Sequence, residues 1–234
     1  MRLLLFGGTG AMGALLAREF LWVYQGSSTL VLYVRNAAKV PEDLAQDRSV
    51  VVIQGELDDM DALSKAMHGV NAVITALGPT GRKGPFYPGG TPVAAAYIRI
   101  MVAMKGQGVR RLIALTTPSV RAPEDQFSLP LVFLRKAFAA VSPNAVKDIV
   151  AIGRVVRAQR AELDWTLIRL AVQTSDDEED PANCQVIAGY MGDGRTNSVS
   201  SRVGAAVFII EELEKREWIW KCPILSTPTR DCNS

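Results

Sequence analysis

The stretch that most constrains this chain is Gly7-Gly8-Thr9-Gly10-Ala11-Met12-Gly13, close to its start. It follows a short apolar run, Leu3-Leu4-Leu5-Phe6, and precedes a segment from Ala14 to Tyr24. In that segment Leu15, Leu16, Phe20 and Val23 recur at helical spacing. The pattern is strand, glycine turn, helix. Glycine at position 7 permits a tight turn. Glycine at 10 lets backbone approach a pyrophosphate, and glycine at 13 lets the helix close on the sheet. The helix N-terminus offers free N–H groups and a positive dipole end to phosphates. In this context the spacing predicts a dinucleotide-binding turn.

The rest of the chain repeats the alternation. Further strands are expected at Thr29 to Val34, Val50 to Ile53, Ala72 to Ala76, Arg111 to Leu115 and Trp165 to Leu170. Short strands are expected at Gln185 to Tyr190 and Pro223 to Ser226. Helices are expected from Asp58 or Asp59, as caps, to Met67, and from Thr91 to Lys105 with Thr91 as N-cap and Pro92 at the first helical position. Two more should run from Val146 to Gln159 and from Ser200 or Ser201 to Lys215. Residues 120–146 carry Pro123, Pro130 and Pro143 and read as irregular or partly helical. Near-continuous apolar strands alternating with helices imply right-handed crossovers and a parallel sheet. The fold class is α/β, a Rossmann-like doubly wound parallel sheet in a single domain over residues 1–234. Substrate-side loops are expected at 79–90, 118–146 and 171–195, the first of which holds four glycines and three prolines.

Composition narrows the function classes. Hydrophobic residues make up 48% of the 234, enough for a sizeable core. The net charge of +2 comes without a long basic run, which argues against a nucleic-acid partner. No apolar stretch reaches membrane-spanning length, and the run before the first glycine is too short for a signal peptide. Cys184, Cys222 and Cys232 are odd in number and lack CxxC spacing, which suits a reducing cytoplasm. The acidic run Asp176 to Asp180 reads as a solvated loop rather than a metal site, and no metal is expected. A small-molecule substrate, and a monomer or homodimer, are the expected partners.

Several motifs then carry a resemblance over most of the chain. They are Gly7-x-x-Gly10-x-x-Gly13, Val34-Arg35-Asn36, Gly55-Glu56-Leu57, and His68-Gly69-Val70-Asn71-Ala72-Val73 leading to Leu77-Gly78. Met104-Lys105-x-x-Gly108-Val109, Thr116-Thr117-Pro118-Ser119 and Leu163-Asp164-Trp165-Thr166-x-Ile168-Arg169 follow. Together they resemble the atypical short-chain dehydrogenase/reductase group, in its NmrA-like and biliverdin/flavin reductase-like branch, which binds NAD(P)H. The resemblance implies a phosphate loop of Gly7, Thr9, Gly10, Ala11, Met12 and Gly13. It puts Arg35, with Lys39, at the 2′-phosphate of NADP(H), and Glu56 and Leu57 by the adenine. Ala76, Leu77 and Gly78 would line the nicotinamide ribose, and Thr116 and Thr117 would stand beside the substrate. For Arg35 there is also an independent argument. It lies 22 residues after Gly13 at the tip of the second strand, where an acid would favour NAD and a cation favours NADP.

Two motifs depart from the pattern. None of the five tyrosines has a lysine four residues on, so the Tyr-x-x-x-Lys pair of typical members is absent. The usual Arg-Pro-Gly after strand six is here Arg169-Leu170-Ala171. Thr117 and Ser119 are the candidate catalytic residues, as hydrogen-bond donors to a substrate carbonyl; turn chemistry around Pro118 is the competing reading. His68 reads as a helix-end residue away from the crevice, Tyr97 as core, and Cys184 as a thiol without a base. The expected activity is NADPH-dependent hydride transfer to a carbonyl, imine or conjugated ring. The alternatives are an isomerase or cyclase on the same scaffold, or an NmrA-like module that senses NADP(H).

Overall fold

In the computed structural model the described residues are 1–26, 28–79, 81–173 and 185–228. An eight-stranded sheet forms the centre, in the order β3-β2-β1-β4-β5-β6-β10-β8. Its strands are β1 (Arg2–Phe6), β2 (Thr29–Val34), β3 (Val50–Gln54), β4 (Ala72–Thr75), β5 (Arg111–Thr116), β6 (Asp164–Leu170), β8 (Ile187–Gly189) and β10 (Ile224–Ser226). Two very short strands, β7 (Val172–Gln173) and β9 (Val199–Ser200), form a separate parallel ribbon. All pairs in the main sheet are parallel except β8 against β10. That antiparallel edge is the one exception, among the described residues, to the expected parallel sheet. β8 pairs with β10 through Ile187, Ala188 and Gly189, and the helix Arg202–Lys215 lies between the two strands in the chain.

The helices are α1 (Ala11–Val23), α2 (Glu42–Gln46), α3 (Met60–Ala66), α4 (Pro92–Gly106), α5 (Leu129–Val141), α6 (Pro143–Arg157) and α7 (Arg202–Lys215). Side chains alternate across a strand, so each face of the sheet buries its own cluster. Leu4, Phe6, Val73, Leu112 and Leu167 point to one face, with Leu63 of α3, Tyr97 and Ile100 of α4, and Ile149 and Ile152 of α6. Leu3, Leu5, Ile74, Ile113 and Ile168 point to the other, with Leu16 and Phe20 of α1, Leu44 of α2, and Ile209 and Ile210 of α7. No helix among the described residues is long and apolar enough to cross a membrane.

Several boundaries moved for local reasons. Residues 120–146 hold a full helix, α5, and Pro143 opens α6 rather than breaking it, since proline suits the first helical turn. Asp59 and Ser201 cap α3 and α7 through their side chains, accepting from Ala62 N–H and Gly204 N–H. Thr91 does not cap α4. It sits in the left-handed region at φ 51°, and its place is taken by Asp148, reaching across from α6. The acidic run 176–180, Cys184 and Cys232 lie outside the described residues, as does part of the 171–195 loop; Cys222 is buried.

Candidate functional site

The strand order reverses between the parallel neighbours β1 and β4, and a crevice opens at the carboxyl ends of these strands, as expected of such a switch point. Gly7 turns the chain out of β1 at φ +82°, and a Cβ there would stand 3.0 Å from the Ala76 carbonyl carbon. At Gly13 a Cβ would collide with the Gly7 carbonyl. The third glycine therefore packs helix against loop, where helix against sheet was expected. Gly10 differs from both: an added Cβ meets only the Gly7 oxygen, at 3.4 Å, and otherwise points into the crevice. The start of α1 has no side-chain cap and no acid in its first turn. Its leading N–H groups and positive dipole end stay free for an anion.

One cavity of ≈ 220 Å³ lies on the β2 side of this loop. Gly7, Thr9, Gly10, Arg35, Leu57, Ala76, Leu77 and Gly78 line it, together with Tyr33 and Gly55. The Tyr33 hydroxyl donates to the Glu56 carbonyl at 2.7 Å, and burial pushes its pKa up to about 12, so it stays a neutral wall. Arg35 is exposed at the tip of β2 and makes no ion pair with any described residue. Lys39, in the turn after β2, and the Glu56 side chain are exposed and stand outside the lining; Ala11 is exposed at the head of α1.

A second cavity, ≈ 270 Å³, continues on the β5 side. The two share Ala76, Leu77 and Gly78. Met12 of α1, Leu115, Thr116 and Thr117 after β5, Ile149 and Ile152 of α6, and Gln173 of β7 close the second around them. The Thr116 hydroxyl donates to the Ile168 carbonyl, so it is spent inside the sheet. Thr117 Oγ1 accepts from the Ser119 N–H at 3.3 Å, which leaves its own hydrogen available. Thr117 also lines a third, more apolar chamber of ≈ 200 Å³ with Pro118, Ser119, Phe138, Leu170, Ala171 and Val172.

Two hydrogen-bonded clamps hold the loops around these cavities. Asp148, fully buried on α6, accepts from the Tyr87 hydroxyl and from the N–H groups of Val93 and Ala94. Ser142 and Asn144 reach the carbonyls of Gly84 and Tyr87. Tyr87 is thereby tied down, its phenol pKa raised by burial and by the Asp148 carboxylate. Tyr97 is buried as expected, bonded to Thr75 and Leu77. On the other side Arg169 of β6 forms a fully buried pair with Asp125 at 2.6 Å. Asp125 also accepts from the N–H groups of Ala122 and Met191, so the loops after β5 and β8 are joined to each other. His68 is exposed at the end of α3, before β4 begins, far from the strands' carboxyl ends.

Sequence reasoning missed Ile149 and Ile152 among the lining residues, while Pro79 and Gln173 fall in the loops expected on the substrate side without having been singled out. The two isoleucines were legible as an i, i+3 pair on one helix face. Gln173 was covered only by the expectation of a substrate-side loop over 171–195.

A glycine turn feeding an uncapped helix, with a crevice at the strand reversal, defines a dinucleotide-binding fold of the Rossmann type. A family model described as NAD(P)H-binding matches residues 7–216, and the chain belongs to that family. No curated protein matches the sequence. Among solved structures, a short-chain dehydrogenase/reductase from Veillonella parvula in complex with NADP is 18% identical, with a TM-score of 0.75 over 97% of this chain and 94% of that one. An anaerobillin reductase from Escherichia coli O157:H7 is 18% identical, with a TM-score of 0.72 over 97% and 98%. A Rossmann-fold NAD(P)-binding protein from Shigella flexneri is 19% identical, with a TM-score of 0.67 over 100% and 96%. At these identities the likeness is one of fold.

Proposed function

We propose that this protein is an NADPH-dependent reductase of a small, largely apolar organic acceptor. The observation that carries the reading is the continuity of the crevice. It runs from the exposed Arg35, past the open face of Gly10, to a chamber where Thr117 bridges the inner and outer cavities. The residues fit the cofactor: Gly10 leaves room for a pyrophosphate, the start of α1 is uncapped, and Arg35 stands unpaired where a ribose phosphate would lie. When bound, NADPH supplies a hydride from C4 of its nicotinamide.

The chain's own residues supply orientation and exclusion of water. Ile149, Ile152 and Leu170 wall the inner cavity with apolar surface. Among the described residues, those lining the outer chamber are uncharged, which suits a neutral carbonyl, imine or conjugated ring. The free Thr117 hydrogen would donate to the acceptor atom and stabilise charge developing there. Tyr87 is committed to Asp148 and no Tyr-x-x-x-Lys pair exists in the sequence, so the proton that follows the hydride would come from solvent.

The test is NADPH absorbance decay over a panel of quinones, flavins, conjugated carbonyls and simple ketones. A side-chain acid typically supplies about 10²–10⁴ in rate, so simple ketones should turn over poorly and charge-delocalising acceptors well. Thr117→Ala should lower turnover by roughly tenfold, the loss of one oriented hydrogen bond. Tight NADPH binding without decay on any acceptor would favour an isomerase, a cyclase or a sensing module instead.

A further inference from the structure

Pro118 lines both the outer chamber and a smaller hollow of ≈ 50 Å³ beside it. The polar lining of that hollow is of one kind. Arg121, Gln126 and Ser128 bring a guanidinium, an amide and a hydroxyl, each able to donate, and among the described residues no acid lines it. Among those residues Arg121 is also the only charged one lining the inner cavity, the outer chamber or the hollow. Its side chain is exposed and forms no ion pair with a described residue, and Ser128, at the N-cap of α5, makes no side-chain bond to the helix. Two acids share the loop. Asp125 is committed to Arg169 and to the N–H groups of Ala122 and Met191, and Glu124 is exposed and stands outside the lining. The backbone beneath is fixed. The Arg121 carbonyl accepts from the Arg157 guanidinium, and the Gln126 N–H donates to the Met191 carbonyl at 2.7 Å. Gly192 packs so closely there that a Cβ would stand 2.9 Å from the Phe127 carbonyl oxygen.

We propose that this hollow receives a carboxylate of the acceptor, with Arg121 as its counter-charge, so that the substrate is an apolar conjugated compound ending in an acid. The inference rests on the reductase reading and names the class of acceptor. The volumes divide the molecule. The outer chamber, ≈ 200 Å³ with mostly apolar walls, takes a ring, whereas the hollow, ≈ 50 Å³, has room only for a group of a few atoms. A guanidinium offers paired N–H donors that match the two oxygens of a carboxylate. An ammonium group would meet a cation here with no acid to receive it, and an apolar tail would leave the donors unmatched. Because the loop backbone is already held, little ordering is needed on binding. The acid end then lies by residues 121–128 and the reacting end by Thr117, which fixes the direction in which the acceptor enters.

The experiment is calorimetric binding of naphthylpropionate and of its primary amide, in the presence of NADP, to wild type, Arg121→Gln and Arg121→Lys. The Arg121 side chain is exposed, so both variants should fold. Wild type should bind the acid about tenfold more tightly than the amide. Arg121→Gln should remove that preference by weakening the acid alone, Arg121→Lys should keep part of it, and added salt should narrow it. Turnover of a naphthoquinone propionate and its methyl ester provides the second readout: the acid should show the lower KM at similar kcat, and Arg121→Gln should raise only the KM of the acid. Equal binding of acid and amide by wild type, no binding of the acid, or an acid preference that survives Arg121→Gln would each overturn the inference. An Arg121-dependent preference in a protein that oxidises NADPH with neither quinone would keep the subsite and sink the reductase reading. Equal turnover of both quinones, untouched by Arg121→Gln, would do the reverse.

Discussion

Gly10 and Arg35 carry the sharpest residue-scale tests because each faces open space. A Cβ at Gly10 meets only the Gly7 oxygen, so a larger side chain is tolerated by the fold and intrudes on the ligand. Gly10→Val should abolish measurable NADPH binding while circular dichroism and thermal melting remain close to wild type. Retained affinity on a folded variant would remove the phosphate loop from the site. Arg35 should contribute a charge-assisted contact of about 1.5–3 kcal/mol to a 2′-phosphate. Arg35→Asp should therefore weaken NADPH by roughly 10- to 100-fold and leave NADH nearly untouched, as read by calorimetry with both cofactors. Equal loss of the two would show that Arg35 does not discriminate between them.

At the scale of elements, the clamp between α4 and α6 decides how the loop after β4 is held. Asp148 satisfies two leading N–H groups of α4 and the Tyr87 hydroxyl from one buried position. Losing a helix cap costs about 0.5–2 kcal/mol, and stranding a buried hydroxyl about 1–3 more. Asp148→Ala should thus lower stability by roughly 2–4 kcal/mol, a fall of about 5–15 °C in Tm for a chain of this size. Tyr87→Phe should cost less, and in the double variant the two effects should fall short of their sum, because the residues share a bond. Strict additivity in thermal denaturation would argue against the clamp. A second clamp of the same kind, Arg169 with Asp125, joins the loops after β5 and β8.

For the molecule as a whole, the crevice runs across the sheet's midline, so an occupant touches both halves of the fold. A ligand that binds only the folded state stabilises it by about 2.7 kcal/mol at a hundredfold excess over Kd. That corresponds to roughly 5–10 °C in Tm for a domain of 150–250 residues. NADPH should produce such a shift in differential scanning fluorimetry, and NADH a smaller one at equal concentration. A larger shift with NADH would reverse the reading of Arg35 as a 2′-phosphate ligand.

What could be read from the chain by itself was whatever depends on neighbours in sequence. Glycine spacing, apolar runs at β1, β2 and β5, and proline after a helix start are local signals, and they located most elements, the glycine turn between β1 and α1, and the strand tips that line the crevice. Arg35 was legible for the same reason, since its place follows from one strand's end. The tertiary structure alone decided what depends on distant partners. Asp148 caps a helix that begins 56 positions earlier in the chain, at Pro92, displacing the local candidate Thr91. Asp125 pairs with Arg169 across 44 positions. Gln173, in the β7–β9 ribbon, is among the residues lining the inner cavity, and β8 runs antiparallel to β10. Periodicity reports which face of an element is apolar; it carries no information on which remote polar group will come to lie against it, because that is set by how the packed elements meet.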